Sequence, residues 1–238
     1  MVTGASGGIG AAIARMLADG GADVALTYNG NREDAEEVAR SVRAAGRRAQ
    51  TLQADFADPE VPEQLAPRVS EELGDVDVLV AAAGSGEKRS WEDVDRQLWD
   101  RTLEVNLSAP FFLAQRLLPG MVERGYGRLL FLSSIAALTG GVLGAHYAAS
   151  KAALHGLTHY LASRVADKGV TVNAIAPALI GDTRMLPVDP SDPEALPLPI
   201  PVGRLGTPEE VADLSVAMLR NGYLTDKVIS VDGGLHAG

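Results

Sequence analysis

Short apolar runs alternate with longer amphipathic segments along the whole chain. Strands are predicted at 1–3, 24–28, 49–53, 76–83, 128–132, 170–176 and 227–231. Helical periodicity is clearest at 32–45, 90–123 and 145–167. Strands that alternate with helices favour a parallel sheet with helices on both faces. The pattern therefore predicts a single α/β domain over 1–238, built on a doubly wound, seven-stranded parallel sheet.

A glycine-rich turn separates the first predicted strand from the first helix. Its glycines are spaced as Gly4-xxx-Gly8-x-Gly10 and lead directly into the Ala-rich segment 11–18. Glycine lets the backbone approach a phosphate closely, and the start of a helix offers unpaired N–H groups to an anion. The turn is therefore predicted to hold the pyrophosphate of a dinucleotide. A glycine turn without a ligand is the alternative.

Tyr147 and Lys151 stand four residues apart in a segment predicted to be helical. Positions i and i+4 share one face of a helix, so the ammonium is expected beside the phenol. A nearby positive charge favours the phenolate and brings the pKa of a tyrosine closer to neutral. The pair is therefore a candidate proton donor and acceptor.

Two further polar residues extend this candidate chemistry. Ser134 follows the apolar run 129–132, at the carboxyl end of a predicted strand, where parallel sheets bind their ligands. Asn106 places an amide inside a predicted helix, where a bound water could pass protons to Lys151. A plain strand-end serine, and an asparagine that caps or kinks its helix, are the alternatives.

Together these motifs resemble the short-chain dehydrogenase/reductase family, above all its 3-oxoacyl-[acyl-carrier-protein] reductase-like members. The likeness covers essentially the whole chain and includes the segments 173–177, 203–212 and 231–234. It implies a Rossmann-like, NAD(P)-binding domain that transfers a hydride reversibly between a nicotinamide and a carbonyl or alcohol carbon. By resemblance, Ser134 orients the substrate oxygen and Tyr147 donates its proton. Lys151 is expected to lower the pKa of Tyr147 and to hold the nicotinamide ribose, while Asn106 keeps a relay water.

The resemblance also implies a set of cofactor contacts along the carboxyl edge of the sheet. They are Gly4, Ser6, Gly8, Ile9, Gly10, Asn29, Arg32, Asp55, Phe56, Ala82, Ala83, Gly84, Tyr147, Lys151, Pro177, Ile180 and Thr183. The family's usual first strand is longer than the one found here. Adding about four apolar residues ahead of Met1 is therefore expected to raise the melting temperature.

The end of the second predicted strand indicates which dinucleotide is bound. A carboxylate there would favour NAD, but the matching residue is Tyr28 and the next carboxylate is Glu33. Arg32 is placed to meet a 2′-phosphate, so NADP is predicted over NAD. Gly7 lacks the arginine that NADP-using relatives often carry at this position. A solvated Arg32 at a helix start is the alternative.

The segment 181–207 is predicted to be a loop that covers the substrate. It holds prolines at 187, 190, 193, 197, 199 and 201, which exclude a long helix. Its apolar residues are Met185, Leu186, Val188, Leu196, Leu198 and Ile200, and Leu138, Val142 and Leu143 follow Ser134. These predict an apolar pocket wall, with a plain surface loop as the alternative.

Composition narrows the classes of partner. A net charge of −10 and a pI near 4.9 argue against binding to nucleic acid. The absence of cysteine excludes disulfides and thiolate catalysis. The sequence contains no run of 18 apolar residues, the length that would predict a membrane-spanning helix. A cytoplasmic protein is expected. His155 and His159 are not expected to form a metal site, and Trp91 and Trp99 are expected to serve packing.

The function predicted from these features is an NADPH-dependent carbonyl reductase that converts a 3-oxoacyl thioester or similar ketone to the 3-hydroxy product, as in fatty acid biosynthesis. An acyl-carrier protein is one way to deliver such a substrate, and Arg124, Arg128, Arg164 and Lys168 are candidate docking cations. The resemblance implies a homotetramer, with a dimer as the alternative. An NAD-dependent alcohol or sugar dehydrogenase and a non-catalytic nucleotide-binding sensor or scaffold are the alternative functions.

Overall fold

The computed structural model describes residues 1–186, 188–190 and 199–236. Within these residues the sheet contains β1 Val2–Thr3, β2 Val24–Tyr28, β3 Ala49–Gln53, β4 Val78–Ala81, β5 Gly127–Leu132, β6 Val170–Pro177 and β7 Lys227–Val231. The strands are parallel and lie in the order β3-β2-β1-β4-β5-β6-β7. The predicted doubly wound, seven-stranded parallel sheet is confirmed.

Helices cover both faces of the sheet. They are α1 Gly8–Asp19, α2 Arg32–Ala44, α3 Val61–Leu73, α4 Arg96–Leu103, α5 Ala109–Glu123, α6 Ala136–Thr139, α7 Ala145–Val165 and α8 Pro208–Arg220. One core packs α3, α5 and α7 against the sheet, and the other packs α1, α2 and α8. Successive strand residues serve opposite cores, as Leu129 and Leu130 of β5 do. In the described residues, no helix is both long and apolar enough to cross a membrane.

The first strand is short, as the sequence indicates, although it lies at the centre of the sheet. Val2 pairs with Leu26 on one side and with Val80 on the other. The amino group of Met1 is buried and donates a hydrogen bond to the carbonyl oxygen of Val78 at 2.7 Å. The strand therefore has few ladder hydrogen bonds, and a chain terminus takes part in them.

The predicted helix 90–123 begins later than expected and is interrupted. It starts at Arg96 because the Asp95 carboxylate caps it, accepting a hydrogen bond from the Leu98 N–H at 2.7 Å. A π-helical turn, Glu104–Ser108, then separates α4 from α5. The predicted strand 76–83 is restricted to β4, and the helix predicted at 145–167 ends in a 3-10 turn at Ala166–Lys168.

The segment that follows β6 is described only in part. Thr183 to Leu186 form a tight turn that is closed by hydrogen bonds between the backbones of these two residues. Pro187, and the predicted apolar and proline residues within 191–198, lie outside the described residues. The substrate-covering role of 181–207 stays a prediction. Trp91 does not pack as expected, because 78% of its surface is exposed.

Candidate active site

The carboxyl ends of four neighbouring strands bring the predicted motifs to one edge of the sheet. The glycine turn follows β1, Gly84 follows β4, Ser134 follows β5 and Pro177 ends β6. A Cβ atom added at Gly84 would lie 3.4 Å from Lys151 Nζ and 3.5 Å from Asn106 Oδ1. Residues more than 40 positions apart in sequence therefore share one cleft, as expected for a parallel sheet.

The glycine turn is shaped by close backbone contacts. Gly4 has φ 63°, and a Cβ atom there would lie 2.8 Å from the Cα atom of Ala83. A Cβ atom at Gly10 would lie 2.4 Å from the carbonyl oxygen of Gly4. Gly8 opens α1 and faces Thr183, whereas Gly7 is extended and has open space around it. A compact turn at a helix start fits the pyrophosphate of a dinucleotide.

Asn106 is fully buried in the π-helical turn, and its amide makes a network of hydrogen bonds. Its Nδ2 donates to the carbonyl oxygen of Ser85 at 2.9 Å and to Ser150 Oγ at 3.0 Å, while its Oδ1 accepts from the Ser85 N–H at 2.8 Å. Ser150 Oγ in turn donates to the carbonyl oxygen of Tyr147 at 2.8 Å. The Asn106 amide therefore links the loop after β4 to α7, the helix that carries Tyr147. Interruptions of this kind are frequent at functional sites.

Tyr147 is buried, with 7% of its surface exposed. Burial raises the pKa of its phenol above the ordinary value of 10, and a hydrogen bond with Ser134 partly offsets this effect. The direction is opposite to the one expected from the sequence, because desolvation of the phenolate outweighs the neighbouring groups. The phenol is therefore protonated at neutral pH.

Lys151 reaches the same cleft from the next turn of α7. Its Nζ donates to the carbonyl oxygen of Leu132 at 2.7 Å and lies 5.8 Å from the centre of the Tyr147 ring. Burial lowers the pKa of Lys151 from 10.5 to about 8. At pH 7 the ammonium still outnumbers the amine by about ten to one. A buried positive charge thus stands close to the proton donor.

A second serine supports the site in a way that sequence reasoning missed. Ser133 Oγ donates to the carbonyl oxygen of Lys151 at 3.0 Å and lies 2.9 Å from His155 Nε2. The pKa of His155 is lowered by burial and by the neighbouring His159. The i, i+4 spacing of His155 from Lys151 is the sequence signal that could have placed it on this face. In the described parts of the chain, no group of three side chains could hold a metal ion.

The adenosine end of the predicted cofactor groove lies between β2 and α2. Asn29 Nδ2 donates to Asp55 Oδ1 at 3.3 Å, and Asn31 caps α2 by accepting from the Asp34 N–H. Arg32 is exposed at the first position of the helix. The Phe56 side chain packs in the core, so its predicted contact would come from the backbone.

Several other predicted contact residues lie at the carboxyl edge of the sheet. Ser6 and Ile180 are buried, Ile9 and Ala82 are half-buried, and the Ala83 N–H donates to Thr3 Oγ1 at 2.9 Å. One contact was not foreseen from the sequence. Arg184 lies with a guanidinium nitrogen 3.7 Å from Asp34 Oδ2, across the groove.

One residue of the expected apolar wall, Leu143, lies beside Tyr147. A Cβ atom at Gly86 would lie 2.8 Å from Leu143 Cδ1 and 3.1 Å from the Tyr147 ring, so the three residues are in contact. Leu138 in α6 and Val142 in the loop after it are exposed apolar side chains. Leu196 and Leu198 lie outside the described residues.

The proposed docking cations do not form a uniform patch. Arg128 is buried and donates to the carbonyl oxygens of Leu219, Gly127 and Gly169. The prediction that Arg128 belongs to a docking surface was wrong, because its guanidinium is buried and hydrogen-bonds to backbone carbonyl groups. Arg124 pairs with two carboxylates, those of Asp75 and Asp77.

Comparison with known proteins gives consistent matches over this whole architecture. A family model described as short chain dehydrogenase matches residues 1–193. The chain is 34% identical to 3-oxoacyl-[acyl-carrier-protein] reductase FabG of Staphylococcus aureus, covering 99% of this chain and 97% of that protein. It is also 34% identical to acetoacetyl-CoA reductase of Cupriavidus necator, covering 100% of this chain and 97% of that protein. Among solved structures, a blue fluorescent protein from a metagenomic library in complex with NADPH superposes with a TM-score of 0.91 at 36% identity, covering 99% of this chain and 96% of that one.

Proposed function

The chain belongs to the short-chain dehydrogenase family of nicotinamide-dependent oxidoreductases, and we propose from this premise that it is an NADPH-dependent carbonyl reductase. The proposed reaction reduces a 3-oxoacyl thioester or a similar ketone to the 3-hydroxy product. The observation that carries the proposal is the pairing of a buried, protonated Tyr147 with a buried ammonium at Lys151.

The proposed proton donor is Tyr147. A substrate carbonyl oxygen would accept hydrogen bonds from Tyr147 and Ser134, whose side chains already contact each other. A bound nicotinamide would supply the hydride to the carbonyl carbon. As the carbon–oxygen double bond becomes a single bond, the phenol proton moves to the oxygen and an alcohol results. Tyr147 is left as a phenolate, which takes its proton back from solvent.

The electrostatics of the cleft support the reductive direction. A raised pKa keeps Tyr147 loaded with its proton before the reaction. The Lys151 ammonium stabilises the negative charge only once the phenolate has formed, which is the differential effect that catalysis requires. The network around Asn106 fixes α7 against the loop after β4 and so holds Tyr147 in position.

The choice of NADPH rests on the adenosine end of the groove. β2 ends at Tyr28 and the residues that follow it carry no carboxylate before Glu33, so the feature that selects NAD is missing there. The exposed Arg32 supplies a cation for a 2′-phosphate. The NADPH-bound structural relative is consistent with this choice.

The substrate class rests on the apolar wall and on the relatives. Leu138, Val142 and Leu143 suit the chain of an acyl substrate, and the names of two relatives specify 3-oxoacyl and acetoacetyl thioesters. Delivery by an acyl-carrier protein and a role in fatty acid biosynthesis follow as part of the proposal. A homotetramer built through α5 and α7 would cover the exposed rings of Phe112 and Tyr160.

The test is the initial rate of NADPH oxidation with a short 3-oxoacyl thioester, run beside NADH. Tyr147→Phe is expected to lower turnover at least a hundredfold while sparing NADPH binding. Tyr223→Phe is the matched control, because Tyr223 is almost fully exposed and far from the cleft in sequence. Tight NADPH binding without turnover of any ketone would overturn the reductase and favour a sensor. A clear preference for NADH would overturn the cofactor assignment.

A further inference from the structure

An ion pair bridges the cofactor groove between two segments that are distant in sequence. Arg184 comes from the turn after β6, and Asp34 lies in the first turn of α2. The guanidinium nitrogen and the carboxylate oxygen are 3.7 Å apart, and the two side chains are 61% and 49% exposed. The Arg184 guanidinium therefore lies at the adenosine end of the groove, although the backbone of Arg184 belongs to the turn after β6.

The turn that carries Arg184 is held against the glycine turn. Thr183 lies next to Gly8, where an added Cβ atom would come within 3.1 Å of Thr183 Cγ2. The Leu186 N–H donates to both the carbonyl oxygen and Oγ1 of Thr183 at 3.1 Å, which closes the turn. Arg184 thus projects from a closed turn that lies against the start of α1.

The pairing with Asp34 is weak enough to be exchanged. Exposed ion pairs of this separation contribute about 0–1 kcal/mol. Asp34 is already engaged by Asn31, whose Nδ2 donates to Oδ2 of the same carboxylate. A guanidinium can bind a phosphate through two parallel hydrogen bonds. The Asp34 carboxylate, which already accepts a hydrogen bond from Asn31, does not pair with Arg184 in this way.

The residues around Arg32 carry more negative than positive charge, so a second cation would favour phosphate binding there. Arg32 is the one arginine of the α2 first turn, and Glu33, Asp34 and Asp55 lie beside it or at the end of the neighbouring strand. The charge of these carboxylates opposes the binding of a 2′-phosphate, so a cation in addition to Arg32 would favour it. Gly7 adds no side chain from the glycine turn.

We propose that Arg184 binds the 2′-phosphate of the adenosine ribose together with Arg32, and that it leaves Asp34 to do so. The proposal rests on the proposed use of NADPH and names a further residue that selects it. Arg184 supplies a cation from across the groove, in place of the arginine that is absent at position 7. Asp34 then acts as a competitor that lowers affinity for the phosphate.

The experiment measures equilibrium binding of 2′,5′-ADP and 5′-AMP by calorimetry, so that no turnover is needed. These probes carry the adenosine end with and without the 2′-phosphate. Arg184→Gln is expected to weaken 2′,5′-ADP binding about tenfold or more and to leave 5′-AMP binding unchanged. Asp34→Asn is expected to strengthen 2′,5′-ADP binding severalfold. Arg68→Gln, an exposed arginine on α3 on the other face of the sheet, is the matched control and should change neither.

The outcomes separate the two proposals. If the unmodified protein binds 2′,5′-ADP no more tightly than 5′-AMP, the use of NADPH fails and the role of Arg184 fails with it. If the protein prefers 2′,5′-ADP but Arg184→Gln keeps that preference, only the role of Arg184 is overturned. An equal loss for both probes would assign Arg184 to the 5′-phosphate and also overturn the proposal. Thermal melts of each variant confirm that a loss of binding is not a loss of fold.

Discussion

The sulfur atom of Met185 lies 3.8 Å from the hydroxyl oxygen of Tyr147. A Cβ atom at Gly84 would lie 4.0 Å from Met185 Cε, so this one side chain spans from the loop after β4 to the phenol. Met185 is 47% exposed, whereas Tyr147 is almost fully buried. The proposed proton donor is therefore screened from solvent by a flexible side chain that comes from the turn after β6.

Met185→Ala is expected to widen access to Tyr147. The KM for bulky or branched ketones should fall severalfold, while kcat for a short 3-oxoacyl thioester should change little, because the proton donor itself is intact. Steady-state kinetics across a series of ketones measures both constants. Met185→Leu keeps a side chain of similar volume and serves as the control. Equal effects on small and bulky ketones would contradict a screening role.

Lys151→Met is expected to make the protein more stable and inactive at the same time. The pKa of Lys151 is lowered from 10.5 to about 8, so burial of the ammonium opposes folding. The full cost, about 3 kcal/mol, applies below pH 8 and disappears as the pH rises towards 10.5. Loss of the hydrogen bond to Leu132 offsets part of the gain, which leaves about 1–2 kcal/mol at pH 7.

Urea unfolding of both proteins at pH 7 and pH 9.5 measures this gain. The stability difference between Lys151→Met and the unmodified protein should shrink at the higher pH. A less stable variant at pH 7 would show that Lys151 is structural and not a functional residue retained at a cost in stability.

The sheet and the position of the site could be predicted because they depend on local patterns. β2, β3 and β7 have the predicted bounds. β2 is a fully buried run, whereas β3 and β7 are the edge strands of the sheet and are only partly buried. The glycine turn and the Tyr147 to Lys151 spacing carry their chemistry within a few residues. Parallel pairing then brings these local motifs to one edge without further information.

The features that could not be predicted depend on contacts between distant segments. The π-helical turn at Glu104–Ser108 is favoured by the tertiary hydrogen bonds of Asn106, which no helical propensity records. The raised pKa of Tyr147 depends on how completely its surroundings exclude water. The positions of the Arg184 and Met185 side chains depend on the turn at Thr183–Leu186. The proline-rich composition of this segment predicts a loop but does not specify the conformation of the turn.

Gly7→Arg is expected to increase the preference for NADPH. Gly7 is extended, with φ 173°, and no atom lies within 4 Å of an added Cβ atom, so any residue fits there. An arginine would add a cation beside the phosphates and should tighten NADPH binding about tenfold with little effect on NADH. Introduced into Arg184→Gln, the same substitution should restore the lost affinity.

Gly4→Ala provides the contrast, because its φ of 63° and the backbone of Ala83 leave no room for a Cβ atom. That variant should lose stability and bind both cofactors poorly. Fluorescence titration with NADPH and NADH measures all of these affinities. If Gly7→Arg tightens both cofactors equally, the added charge acts on the pyrophosphate and the specificity prediction fails.

The buried amino group of Met1 should make stability depend on pH. Burial lowers its pKa from 8.0 to about 5, because the hydrogen bond to Val78 and the charge of Asp77 do not replace the lost hydration. The unfolded chain then binds more protons between pH 5 and pH 8. Stability is therefore expected to fall as the pH is lowered through this range, by about 4 kcal/mol at most.

Adding four apolar residues ahead of Met1 replaces this charge with a peptide group and extends the ladder of β1 between β2 and β4. The extended protein should melt at a higher temperature, and its advantage should grow from pH 8 to pH 5. Melting curves of both proteins across this range measure the effect, because the two proteins share every titrating side chain and differ, among titrating groups, only in the position of the terminal amino group. An advantage that does not change with pH would mean that only the added strand contacts stabilise the sheet, and that the amino group is solvated in the folded protein.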